Sequence, residues 1–218
     1  MNLHPNMPPL PKRIAKLPVD ERGFPVPWFV AWVEGKPDFR VIGPGKREEA
    51  YRQELCWVCG QKLGAYKAFL IGPMCAVNRV SAEPPSHVDC AEFSAKACPF
   101  LSNPDMRRNE HTPRPEGYRE ADGIGIARNP GVTLLWGIVG HYKPFPDGQG
   151  GFLFDVGTPV AVRWFCRGRP ATRAEVMASI DSGLPILKEM AEKDGLAAME
   201  QLGRQVQEAL KLVPEDLP

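Results

Sequence analysis

Four residues have the types and spacing to share one piece of chemistry. Cys56 and Cys59 stand three apart in CWVCG, His87 and Cys90 stand three apart in HVDC, and 27 residues separate the pairs. A tight turn after the first cysteine lets two thiolates face one ion. The second pair falls on the first turn of a predicted helix, where residues three apart share a face. A helix N-terminus also favours a negative thiolate. Three thiolates and an imidazole make a soft, tetrahedral donor shell, the usual composition for structural zinc. The spacing predicts one Zn2+ per chain on Cys56, Cys59, His87 and Cys90. With four protein ligands no position is left for water, so the ion is expected to be structural, not catalytic. Asp89 and Glu83, near His87 in sequence, are explained by a helix cap and by the preceding loop.

Other uses of these residues are less consistent with the order of the chain. A redox dithiol wants its CxxC at a helix start after a strand, whereas Cys56-x2-Cys59 precedes an expected hairpin. Cys75 lies in that hairpin and is an alternative to His87 as ligand. Cys98 is two helical turns beyond Cys90, roughly 12 Å away at 1.5 Å per residue, and Cys98 and Cys166 read as small buried residues. Zinc-deaminase, HExxH, Walker and GxSxG patterns are absent, and GIGIARNPG (123–131) lacks dinucleotide spacing. His111 and His141 are isolated. Arg163, Arg167, Arg169 and Arg173 gather around a predicted strand-to-helix turn beside Trp164 and Phe165, a candidate group for gripping phosphates and stacking bases. Arg107 and Arg108 form a smaller basic pair, with Glu110 able to neutralise one of them.

The elements that must position these residues follow from pattern. Residues 1–24 read as a Pro-rich, poorly ordered arm. PVPWFVAWV (25–33) and FRVI (39–42) suggest a hairpin, and 47–55 a short helix. AYKAFLI and MCAVNRV, either side of Gly72-Pro73, suggest a second hairpin. A helix is expected from an N-cap at Ser86 to Pro99. Residues 102–123 read as a polar linker or long loop. Beyond it, 131–142, 150–156 and 159–168 predict a small antiparallel sheet. Thr172 with Glu175 forms a capping box, and Gly183 is a natural helix stop. Two amphipathic helices close the chain, the last with a core stripe of Leu196, Met199, Leu202, Val206 and Leu210.

Knuckle, hairpin, then a helix carrying the second ligand pair: from Cys56 to about Phe100 this order resembles the treble-clef zinc finger. The resemblance implies a fold and a metal, not an activity. The wider phrasing, from PVPWFVAWVEGKPDFR to GPMCAVNRVSAEPPSHVDC, also resembles bacterial and phage proteins with no assigned role. His-Asn-His nucleases share the treble clef, which makes them the nearest enzymatic alternative. Asn78 and His87 are roughly placed for one, but Gly72-Pro73 stands where an Asp-His pair is expected.

The 218 residues carry 27 Lys+Arg against 26 Asp+Glu and 24 prolines. The charge balance argues against a strongly basic polyanion binder and confines any nucleic-acid contact to a local patch. No leader pattern or apolar span is present, and the expectation is a cytoplasmic protein. The fold class is α+β: a hairpin and treble-clef zinc module over 25–101, the linker, then an antiparallel sheet and helices over 124–218. The expected function is a zinc-stabilised, non-enzymatic binding protein whose partner is nucleic acid or a nucleic-acid-processing protein. The alternative is an enzyme with its site between the two halves.

Overall fold

The computed structural model describes residues 3–106 and 129–215. His111, Arg107, Arg108, Glu110 and most of the 102–123 segment lie outside the described residues. The chain is α+β, with small antiparallel sheets and its two longest described helices at the C-terminal end.

Strands β1 (Val30–Val33) and β2 (Lys36–Ile42) form the expected first hairpin, followed by α1 (Lys46–Arg52). After the CxxC turn comes β3 (Tyr66–Ile71). The next segment corrects the expected second hairpin, because MCAVNRV does not return as a strand. It forms α2 (Pro73–Asn78), with Gly72 extended at the N-cap and Pro73 in the first turn, where a missing N–H costs nothing. Its apolar run buries Met74, Ala76 and Val77. Arg79 ends it with φ +62°, and β4 (Val80–Ser81) follows. Then come α3 (Val88–Ala97) and α4 (Pro99–Ser102). Ser86 is not the cap of α3: its backbone pairs with Ala68 of β3, and His87 takes the N-cap position.

Beyond the undescribed segment are β5 (Thr133–Val139), β6 (Lys143–Pro146), β7 (Phe152–Asp155), β8 (Ala161–Cys166) and β9 (Arg169–Pro170). They do not make one sheet among themselves. β5 inserts between β3 and β8, giving the order β3-β5-β8-β9, while β6 and β7 join β4 in a second sheet. Strands from both sides of the 102–123 segment therefore share a sheet. All of β5 but Val139 is buried, as expected for a central strand covered on both faces. Its alternate residues divide between two layers. Leu134, Trp136 and Ile138 join Phe69, Ile71, Trp164 and the helical residues Val77, Val176 and Ile180. Leu135 faces the other way, with Ala68, Phe165, Ala91 and Ala95.

Helices α5 (Arg173–Asp194) and α6 (Leu196–Leu210) complete the larger core. The Thr172–Glu175 capping box is formed. Gly183 does not stop α5, which runs through it and through Pro185 to Asp194. Val176, Ile180, Leu187 and Ala191 are buried along one stripe, and that burial outweighs the local cost of Gly and Pro in a helix.

The N-terminal segment also departs from expectation. Instead of a loose arm, the segment packs Met7, Leu10, Ile14 and Leu17 against the cluster around the CxxC cysteines, with a 3-10 turn at Ile14–Lys16 and Ile14 itself only 1% exposed.

Candidate metal centre

The cysteine pair is set by a tight turn. Gly60 N–H donates to Cys56 O at 2.8 Å, Cys56 N–H donates to Gln61 O at 2.8 Å, and Leu55 bridges to Lys62. Gly60 closes the turn at φ +68°, a left-handed conformation that costs a glycine little. The His87-Cys90 pair is delivered by α3. Two main-chain ties bring the start of that helix to the turn: the Ser86–Ala68 pair, and Trp57 N–H to Pro85 O at 3.1 Å.

Cys56, Cys59, His87 and Cys90 are all buried, and one donor atom from each lies within 4.8 Å of every other. The group can hold a metal ion. His87 Nδ1 stands 3.4 Å from Cys59 Sγ and 3.9 Å from Cys90 Sγ. An ion with Zn–S of about 2.3 Å and Zn–N of about 2.0–2.1 Å at tetrahedral angles sets a sulfur–nitrogen edge of about 3.6 Å. The two observed separations bracket that edge.

The surrounding contacts orient the donors. His87 Nε2 lies 3.0 Å from Lys62 O. A carbonyl only accepts, so Nε2 carries a proton, and with an ion bound Nδ1 would be free to turn its lone pair to it, the usual outer contact of a metal-bound imidazole. The N–H groups of Cys59 and His87 each donate to Cys56 Sγ at 3.4 Å. Burial opposes a thiolate at Cys56, yet hydrogen bonds from Cys59, Cys90 and His87 outweigh it and hold that thiol far below its usual range. Contacts with Cys56 and Cys59 push the Cys90 thiol up and raise His87 to about 10. Negative charge thus collects on sulfur, balanced by a proton on the imidazole. A divalent cation supplies that balance and releases the protons.

The rival cysteines are elsewhere. Cys75 lies on α2 and Cys98 follows α3; burial raises both thiols, and neither joins the group of four. Asn78 ends α2, and His87 is turned into the sulfur cluster. Of the isolated histidines, His141 is exposed and stands 4.0 Å from Glu54.

The four arginines are held separately. Arg163 pairs with Glu92 at 2.6 Å and Arg167 with Asp105 at 3.5 Å. Arg169 grips both carboxylate oxygens of Glu175, at 2.6 and 2.9 Å, and Arg173 donates to Pro214 O at 3.1 Å.

Three participants were not legible in sequence. The Lys62 carbonyl is a backbone group that any residue could supply. Ile14 shares the buried cluster of the ligands from 42 positions before Cys56. Trp28 lays its ring over Gly60, where an added Cβ would approach within 2.5 Å of Cγ. Among the described residues no helix is long and apolar enough to cross a membrane. No protein-family model, curated protein or solved structure matches the chain, so the reading of the centre rests on its own geometry.

Proposed function

We propose that this chain is a zinc-stabilised binding protein in which Cys56, Cys59, His87 and Cys90 hold one structural Zn2+. The observation that carries the proposal is the buried four-donor shell, with His87 Nδ1 3.4 and 3.9 Å from two of its sulfurs and Nε2 fixed on Lys62 O. Four protein donors close a tetrahedral site, while a catalytic zinc commonly keeps one position for water. Ligands from a turn and from the first turn of a helix support a treble-clef-type arrangement. Here the hairpin between them is replaced by β3 and α2, and the strand that completes β3 comes from far along the chain.

A closed shell supports a structural role for the ion, and with it the reading of a binding protein. Arg163 on β8 and Arg167 and Arg169 at the β8–β9 turn form a candidate surface for an anionic chain: their side chains are 47%, 57% and 50% exposed. Exposed ion pairs contribute about 0–1 kcal/mol each, so exchanging a carboxylate for a phosphate there costs little. This supports nucleic acid as the partner.

Three measurements test the proposal. Elemental analysis should give near one zinc per chain. Cobalt substitution should give strong tetrahedral thiolate bands that do not move when anionic ligands are added; a shift, with metal-dependent hydrolysis of a substrate, would make an enzyme the better reading. Binding to single- and double-stranded nucleic acid should fall steeply with salt and weaken in Arg163→Ala/Arg167→Ala. Absence of any complex at low salt leaves a protein partner.

A further inference from the structure

The metal centre is roofed by a segment that sequence assigns to a loose arm. Ile14, 1% exposed, shares one buried cluster with Cys56, Cys59, Cys90, Val58, Leu63 and Phe93, and Met7, Leu10 and Leu17 pack against the same cluster. A short turn presents these side chains together: Ala15 N–H donates to Pro11 O and Leu17 N–H to Ile14 O. One charged contact reaches the ligand helix itself. Arg13 Nη1 lies 3.1 Å from Asp89 Oδ2, and Asp89 stands between His87 and Cys90. The far end is anchored by Val26 N–H on Pro18 O and by the buried Asp20 carboxylate, which accepts from the N–H groups of Arg22 and Phe24.

We propose that residues 7–17 are a strap that closes over the metal centre, so that the ion leaves only when the strap undocks, and the strap docks only when the ion orders the ligand cluster beneath it. The inference rests on the metal reading given above. Its physical basis is shared surface. The strap's apolar side chains are buried against the ligand cysteines, so loosening either partner exposes the other to water. Linkage makes the coupling mutual: the factor by which the ion favours docking is the factor by which docking tightens the ion.

The test is release of Zn2+ from the full-length protein to excess chromogenic chelator. Ile14→Ala removes a fully buried contact and should speed release by about tenfold or more, given the usual cost of such a truncation. Leu187→Ala, an equivalent truncation in the larger core away from the centre, should leave the rate near wild type. Should Ile14→Ala fail to fold, Leu10→Ala trims a half-buried contact and should speed release severalfold. Trypsin gives a second readout, because Lys12, Arg13 and Lys16 all lie in the strap: cleavage there should be slow with zinc and fast once the chelator has removed it. A protein that purifies without metal refutes the metal reading. One zinc per chain, with equal release rates in wild type and the strap variants or equal cleavage with and without zinc, overturns the strap alone.

Discussion

Replacing Gly60 by alanine isolates the tightest point of the cysteine turn. Gly60 sits at φ +68°, and placing a Cβ there costs roughly 1–2 kcal/mol from local sterics alone. The new methyl would also fall on the Trp28 indole, 2.5 Å from Cγ and 2.9 Å from Nε1. That ring cannot move freely. The Trp28 backbone N–H donates to Val58 O at 2.8 Å, which fixes its Cα beside the turn, and the Lys46 ammonium lies 3.9 Å from the ring centroid. Displacing the indole forfeits a cation–π contact of about 0.5–1 kcal/mol together with part of its packing. Gly60→Ala should therefore destabilise the zinc-loaded protein by about 2–4 kcal/mol. Gly35→Ala is the control: φ is +77° there too, but nothing lies within 4 Å of the added Cβ, so only the local steric cost of about 1–2 kcal/mol should apply. The assay is guanidinium unfolding at fixed excess zinc, followed by tryptophan fluorescence. A double-mutant cycle with Trp28→Ala completes it, because removing the ring should return the Gly60→Ala cost to the Gly35→Ala level. Equal costs for Gly60→Ala and Gly35→Ala, or no coupling to Trp28, would refute the reasoning.

The remaining predictions are shorter. Cys56→Ser should lose the metal and most of the stability of the surrounding module, because binding energy at such a site is folding energy, whereas Cys98→Ser should retain one zinc per chain; elemental analysis of both variants decides the ligand set. Glu175 links Arg169 to the helix cap, and its carboxyl is drawn from 4.5 to about 2, first by the Arg169 guanidinium and then by the Thr172 N–H. A depressed carboxylate contributes stability above pH 4.5 and loses it as the pH falls from there towards 2. Because the pair is largely solvated, Glu175→Gln should cost only about 1 kcal/mol at pH 7, and its unfolding curve should converge on wild type below pH 4.5. A gap that holds constant through that window would show that neither the cap nor the ion pair is its source.

The sequence by itself determined whatever depends on neighbours in the chain. Two Cys/His pairs at three-residue spacing, a tight turn after Cys56, and Thr172 three residues before Glu175 are local geometry, and each is found as the sequence implies. So is the strand expected within 131–142, found as β5, although its central place and its burial on both faces were not read from sequence. Tertiary structure decided what local pattern leaves degenerate. MCAVNRV is a short apolar run that suits strand or helix equally; it became α2 because β5, from beyond the undescribed segment, takes the place beside β3 where its strand would have paired. Gly183 reads as a stop, yet core contacts on either side carry α5 through it and through Pro185. Ile14 reads as one apolar residue in a proline-rich stretch. Only the arrival of the cysteine turn and α3 gives it a surface to bury against, since burial is a property of what other parts of the chain bring near and not of the residue alone.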